Sequence, residues 1–84
     1  MLTRRDQRLS PRRNTMIEAA IVYDGGRSKM YAIIRNLSDG GAKIEVEKVI
    51  GVPNTFDLIT PGMRPRACRV AWRALREMGV QFID

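Results

Sequence analysis

Two clusters in this chain carry residue types suited to holding an anion. The first is Arg8-Leu9-Ser10-Pro11-Arg12, two arginines four positions apart in an N-terminal segment that also holds Arg4, Arg5 and Arg13. A guanidinium forks onto phosphate oxygens, and its flat face stacks on a planar base. The second is Asn36-Leu37-Ser38-Asp39-Gly40-Gly41. Glycines there let a ligand approach the backbone, successive turn amides can cradle an anion, and Asn36 and Ser38 add donors and acceptors for a phosphate oxygen or a heterocycle edge. Taken alone, the second cluster is also what ordinary turns are made of. The arginines shift the reading toward anion recognition.

Bond-making chemistry has less to work with. The 84-residue chain has no histidine and one cysteine, so an internal disulfide is impossible and neither a metal site nor a cofactor is expected. Cys68 alternates with Val70 and Trp72, which predicts a buried structural thiol rather than a nucleophile. The carboxylates mostly fall at alternate strand positions, as on a solvated face. No catalytic residue is assigned, and the chain does not read as an enzyme.

Charge is unevenly placed. The net charge is +6, and Arg4, Arg5, Arg8, Arg12 and Arg13 face only Asp6 within residues 1–13, leaving the remainder near balance. That asymmetry predicts a flexible arginine-rich arm over 1–13 that meets something anionic, and a body over 14–84 that folds on its own terms. No apolar run approaches the roughly 20 residues that span a bilayer, and no apolar stretch follows the basic N-terminus as in a signal peptide. A cytoplasmic protein without membrane insertion is the expectation.

The elements that must position these clusters read as strands. Met16–Tyr23 is apolar, ends in β-branched and aromatic residues, and meets Asp24-Gly25-Gly26-Arg27, a hairpin signal with Ser28–Arg35 as the returning partner. Ala42–Glu47 alternates, with Ala42, Ile44 and Val46 on one face. Gly51 and Pro53 mark a connection, and Thr55–Thr60 is a short strand stopped by Pro61-Gly62. Arg66–Arg73 places Cys68, Val70 and Trp72 on one face, and Glu77–Ile83 does the same for Met78, Val80 and Phe82. Six strands at near-regular spacing predict an all-β fold, a small antiparallel barrel with no C-terminal helix; closure removes exposed edges from so short a chain. The expected core is Cys68, Val70, Trp72, Val80, Phe82, Ile44 and Val46, with Ile21 and Ile34.

The pair Arg8-x-x-x-Arg12 and Asn36-x-Ser38-x-x-Gly41, separated by twenty-three residues, resembles the PilZ domain family. These are six-stranded β-barrel receptors for the bacterial second messenger cyclic di-GMP, with an RxxxR arm and a [D/N]xSxxG turn. The segments Cys68–Arg73 and Met78–Phe82 are similar to the family's closing strands, so the likeness spans nearly the whole chain. The resemblance implies that Arg8 and Arg12 grip phosphates and guanine faces, that Asn36 and Ser38 hydrogen-bond guanine or phosphate, and that Gly41 keeps the turn open. Arg13 and Gly40 are possible additions. It further implies a receptor or adaptor that relays the signal to a protein effector. Arg4-x-x-x-Arg8 also satisfies the arm spacing; Pro11 and the gap to Asn36 favour Arg8 and Arg12. Gln7 precedes Arg8 where members that bind a ligand dimer often carry arginine, so the number of ligands per site stays open.

Two other classes compete. A basic barrel of this size can bind RNA or DNA, and the pI near 10.5 fits that. Against nucleic acid, the few aromatics (Tyr23, Tyr31, Phe56, Trp72, Phe82) fall mostly on expected core faces rather than on a stacking platform. A ligand-free protein-interaction adaptor is the third reading.

Overall fold

The computed structural model describes residues 13–84, and within them the protein is all-β with no helix. The strands are β1 (Arg13–Tyr23), β2 (Ser28–Leu37), β3 (Gly41–Val46), β4 (Thr55–Ile59), β5 (Arg66–Arg73) and β6 (Glu77–Phe82). All neighbours are antiparallel, and the sheet closes in the order β1-β2-β3-β6-β5-β4, with β4 returning to β1. The arginine arm lies outside the described residues, Arg8 and Arg12 included; of its expected span only Arg13 is seen, at the start of β1.

Local chemistry explains the connections. The β1–β2 hairpin needs left-handed backbone at Asp24, Gly25 and Gly26, with φ of 56°, 66° and 91°, conformations that glycine and aspartate tolerate best. After β3 the chain crosses one end of the barrel to reach β4. Backbone bonds from Val46 N to Arg76 O (2.8 Å) and from Val49 N to Leu75 O (3.3 Å) tie this crossover to the β5–β6 loop. Val49 and Val52 are buried and close that end of the core. Arg73 pins the crossover from outside, donating to Asn54 Oδ1 at 2.9 Å and to the Val49 carbonyl at 3.5 Å.

The core is aliphatic: Ile21, Ala32, Ile34, Ile44, Cys68 and Met78 are essentially inaccessible, with Phe56 and Leu58 from β4 beside them. Of the residues expected inside, Val70 and Phe82 are partly buried against this cluster, and Trp72 is not inside. Trp72 is 45% exposed. The cause is a register shift between β5 and β6: Val70 pairs with Val80 and Trp72 with Gly79, so Ala71 is an extra residue on β5. A bulge of this kind breaks the period of two and turns the next side chain to the other face.

Candidate functional site

The β2–β3 turn is held from within and from the side. Ser38 donates to the Gly41 carbonyl from its backbone N–H (3.0 Å) and from Oγ (3.3 Å), and Phe82 N donates to the Gly40 carbonyl at 2.9 Å. The last bond docks the turn on the end of β6. Gly41 is buried, and a Cβ there would run into the Val80 carbonyl oxygen. Its lack of a side chain is thus required by the approach of β3 to β6, beyond any role in opening the turn. Gly40 is exposed with open space around it.

Below the turn, four residues form a row across four strands. Asn36 on β2 pairs with Lys43 on β3, Lys43 with Gly79 on β6, and Gly79 with Trp72 on β5. Three register shifts border this row: on β1 between Asn14 and Ile17, on β2 between Ile34 and Asn36, and on β5 between Val70 and Trp72. The Thr15 hydroxyl donates to the Ile34 carbonyl beside two of these shifts. Bulges concentrate where a strand must re-aim a side chain. Here they accompany the outward turn of Trp72.

Gly79 completes the arrangement. A Cβ on Gly79 would collide with Nε1, Cε2 and Cδ1 of Trp72, so the indole lies against bare backbone and fills the space a side chain would take. The result is an aromatic plate on the outside of the barrel, beside the turn. Asn36, Ser38, Gly40 and Gly41 line the same hollow as Lys43, Trp72 and Gly79. Its volume of about 260 Å³ is under the roughly 300–1,000 Å³ of a complete small-ligand pocket. It is an open hollow rather than an enclosed pocket.

The charged residue lining the hollow is Lys43. Lys43 Nζ is 3.8 Å from Glu77 Oε2, a loose and half-exposed pair, whereas Arg35 is engaged by Glu45 at 3.1 Å. Exposed pairs at such distances are weak, on the order of 0–1 kcal/mol, so Lys43 can turn to a phosphate at little cost. Arg69, exposed on β5, is two residue pairs nearer the turn, opposite Gln81, which itself pairs with Gly41. Cys68 is fully buried, and burial, helped by the Asp84 carboxylate and partly offset by Arg66, pushes its thiol up to about 12. It is an inert core residue. No cluster of metal-binding side chains occurs among the described residues, and no helix among them is long and apolar enough to cross a membrane.

The structure therefore brings Asn36, Ser38, Gly40 and Gly41 together, while Arg8 and Arg12 are outside the described residues and the side chain of Arg13 is not described. The sequence reading missed Trp72, Lys43 and Gly79. One signal was available: a lone glycine inside an alternating strand marks a bulge or a close approach, and Gly79 is such a glycine. Comparison with known proteins gives a match of the PilZ domain family model to residues 4–84, essentially the whole chain. No curated protein matches.

Proposed function

Because the chain belongs to the PilZ domain family, a family of cyclic di-GMP-binding domains, we propose that it is a cyclic di-GMP receptor that clamps its ligand between Arg8 and Arg12 of the arm and the Asn36–Gly41 turn. The observation that carries this reading is the hollow itself: motif residues, an aromatic plate and a loosely held lysine share it. Cyclic di-GMP carries two phosphates and two flat purines. Trp72 offers one purine a stacking face, and Lys43 and the turn amides offer donors to a phosphate. Asn36 and Ser38 present polar atoms to a guanine edge. Arg8 and Arg12 then cover the exposed side of the ligand with charge-assisted bonds and a second stacking surface.

The same geometry supports a route for signal relay. A ligand bridging arm and turn changes the surface around β1 and the β2–β3 turn, which a partner protein can read. No step in this scheme requires a metal, a cofactor or a catalytic base, and the family is one of ligand-binding receptor domains rather than a known enzyme family.

A thermal-shift series tests the reading, since a ligand that binds only the folded state raises its melting temperature with concentration. Cyclic di-GMP is expected to raise it, while GMP, with one phosphate and no means of bridging, is not. No shift with cyclic di-GMP at high micromolar concentration would overturn the receptor assignment. A shift from random RNA that collapses with added salt would move the protein to the nucleic-acid class.

A further inference from the structure

The outward positions of β3 and β6 carry charge. Lys43 and Glu45 flank the buried Ile44 on β3, and Glu77 begins β6. The ladder sets Glu45 directly opposite Glu77. Like charges so placed destabilise an antiparallel pair. Here each carboxylate is answered by a cation: Arg35 is 3.1 Å from Glu45, and Lys43 is 3.8 Å from Glu77. The four side chains are 39–41% exposed, so water screens these forces without abolishing them. With Thr15 and Asn36 they line a polar hollow of about 340 Å³.

That hollow adjoins the one under the β2–β3 turn, because Asn36 and Lys43 line both. The two cations are therefore not equivalent. Arg35 donates a hydrogen bond to Glu45 Oε1 and lines the polar hollow alone. Lys43 stands beyond hydrogen-bond reach of Glu77 and is the charged residue of the ligand hollow. A phosphate in the ligand hollow and the Glu77 carboxylate outside it thus compete for one ammonium group. When the phosphate takes it, Glu77 is left opposite Glu45, and of the cations lining the polar hollow Arg35 alone still faces the two carboxylates.

We propose that Glu77 sets the affinity of the ligand hollow for a phosphate group by holding Lys43 back from it. Glu77 is a positioning residue: it does not line the ligand hollow, and its effect passes through the Lys43 ammonium. Glu45 reinforces the hold, since release of Lys43 uncovers the repulsion between the two carboxylates. The inference rests on the reading of that hollow as a phosphate site and adds a residue, outside the motif and outside the hollow, that tunes it.

Calorimetric titration of the full chain with cyclic di-GMP at constant ionic strength tests it, with circular dichroism confirming that each variant is folded. Glu77→Gln should bind roughly two- to fivefold more tightly than wild type, the scale of an exposed charge pair. Lys43→Met should bind more weakly. Added to Lys43→Met, Glu77→Gln should bring no further gain, a non-additivity that shows the effect passing through the lysine. Asp57→Asn makes the same change of charge at an exposed position on β4, across the barrel, and should leave the affinity as it is. The inference is overturned, with the receptor reading intact, if Glu77→Gln binds no more tightly than wild type or Lys43→Met binds equally well. A gain from Glu77→Gln that persists without Lys43, or that Asp57→Asn reproduces, overturns it in the same way. A wild type that gives no heat overturns the receptor reading and this inference together.

Discussion

Gly79→Ala adds one methyl group, on a strand that carries none of the family motif, and it should dismantle the aromatic plate. The added Cβ would fall inside the van der Waals envelope of three indole atoms of Trp72 at once. Backbone on both sides is locked into the β5–β6 and β3–β6 ladders, so the half-exposed indole must swing away. Overpacking of this sort costs roughly 1–3 kcal/mol, offset by about 0.4–1 kcal/mol from the lower entropy of the unfolded chain when glycine becomes alanine. A net loss of about 1–2 kcal/mol in stability follows. The effect on binding should be larger, because base stacking on an aromatic side chain is worth about 1–3 kcal/mol, roughly 5- to 150-fold in Kd. Trp72 is the sole tryptophan, so its emission reports the displacement directly. The variant's spectrum should shift to the red as the indole leaves the strand surface, and titration with cyclic di-GMP followed by calorimetry should show the weaker affinity. Gly40→Ala is the matched control. It lies within the motif, yet open space surrounds it and its φ is not in the left-handed region, so stability should hold or rise slightly. An unchanged emission maximum together with wild-type affinity in Gly79→Ala would refute the plate.

Four further outcomes are expected. Gly41→Ala drives a methyl group into the Val80 carbonyl oxygen, and since backbone cannot yield without parting β3 from β6, chemical denaturation should show a loss of at least about 3 kcal/mol. Cys68, fully buried and with its thiol raised from 9.0 to about 12, should be alkylated at pH 8 at least about a hundredfold more slowly in the folded than in the unfolded protein, because both its thiolate fraction and its access to reagent are reduced. By the same linkage its stabilising effect is complete below pH 9 and is lost as pH rises toward 12, so Cys68→Ala should flatten the alkaline fall in melting temperature. Arg8→Ala and Arg12→Ala should each weaken cyclic di-GMP binding by on the order of 2 kcal/mol, the scale of a charge-assisted hydrogen bond with a stacked face, and calorimetry at constant salt measures it.

Much of the architecture was legible because it rests on local rules. Paired glycines after an Ile-Val-Tyr run placed the β1–β2 hairpin, and alternation placed β3 and β6 within a residue or two of their observed ends. The family motif residues Asn36, Ser38 and Gly41 were legible through side-chain type and spacing. The departures have a common origin in the pairing between strands, which the pattern within a single strand does not show. Arg66–Arg73 keeps Cys68, Val70 and Trp72 at alternate positions, and that spacing by itself does not reveal that Ala71 is an extra residue and that Trp72 faces out. That fact resides in the partner strand, at Gly79. Lys43 falls on the face opposite Ala42, Ile44 and Val46, but its place between Asn36 and Gly79 is set by the register of three strands. The Glu47–Asn54 crossover was read as a connection, whereas Val49 and Val52 close the barrel end because a closed sheet leaves its ends open to water.

The central claim is a matter of place: cyclic di-GMP seats on the wall below the β2–β3 turn. Titration of the ¹⁵N-labelled protein with cyclic di-GMP, followed by NMR amide and indole shifts, tests it most directly. The account predicts large shifts at Asn36 to Lys43, at Ala71, Trp72 and Gly79, and at the Trp72 indole N–H, with Tyr31 and Ile59 on the opposite wall unmoved. Shifts gathered on the β4–β1–β2 wall, or none at saturating ligand, would contradict it.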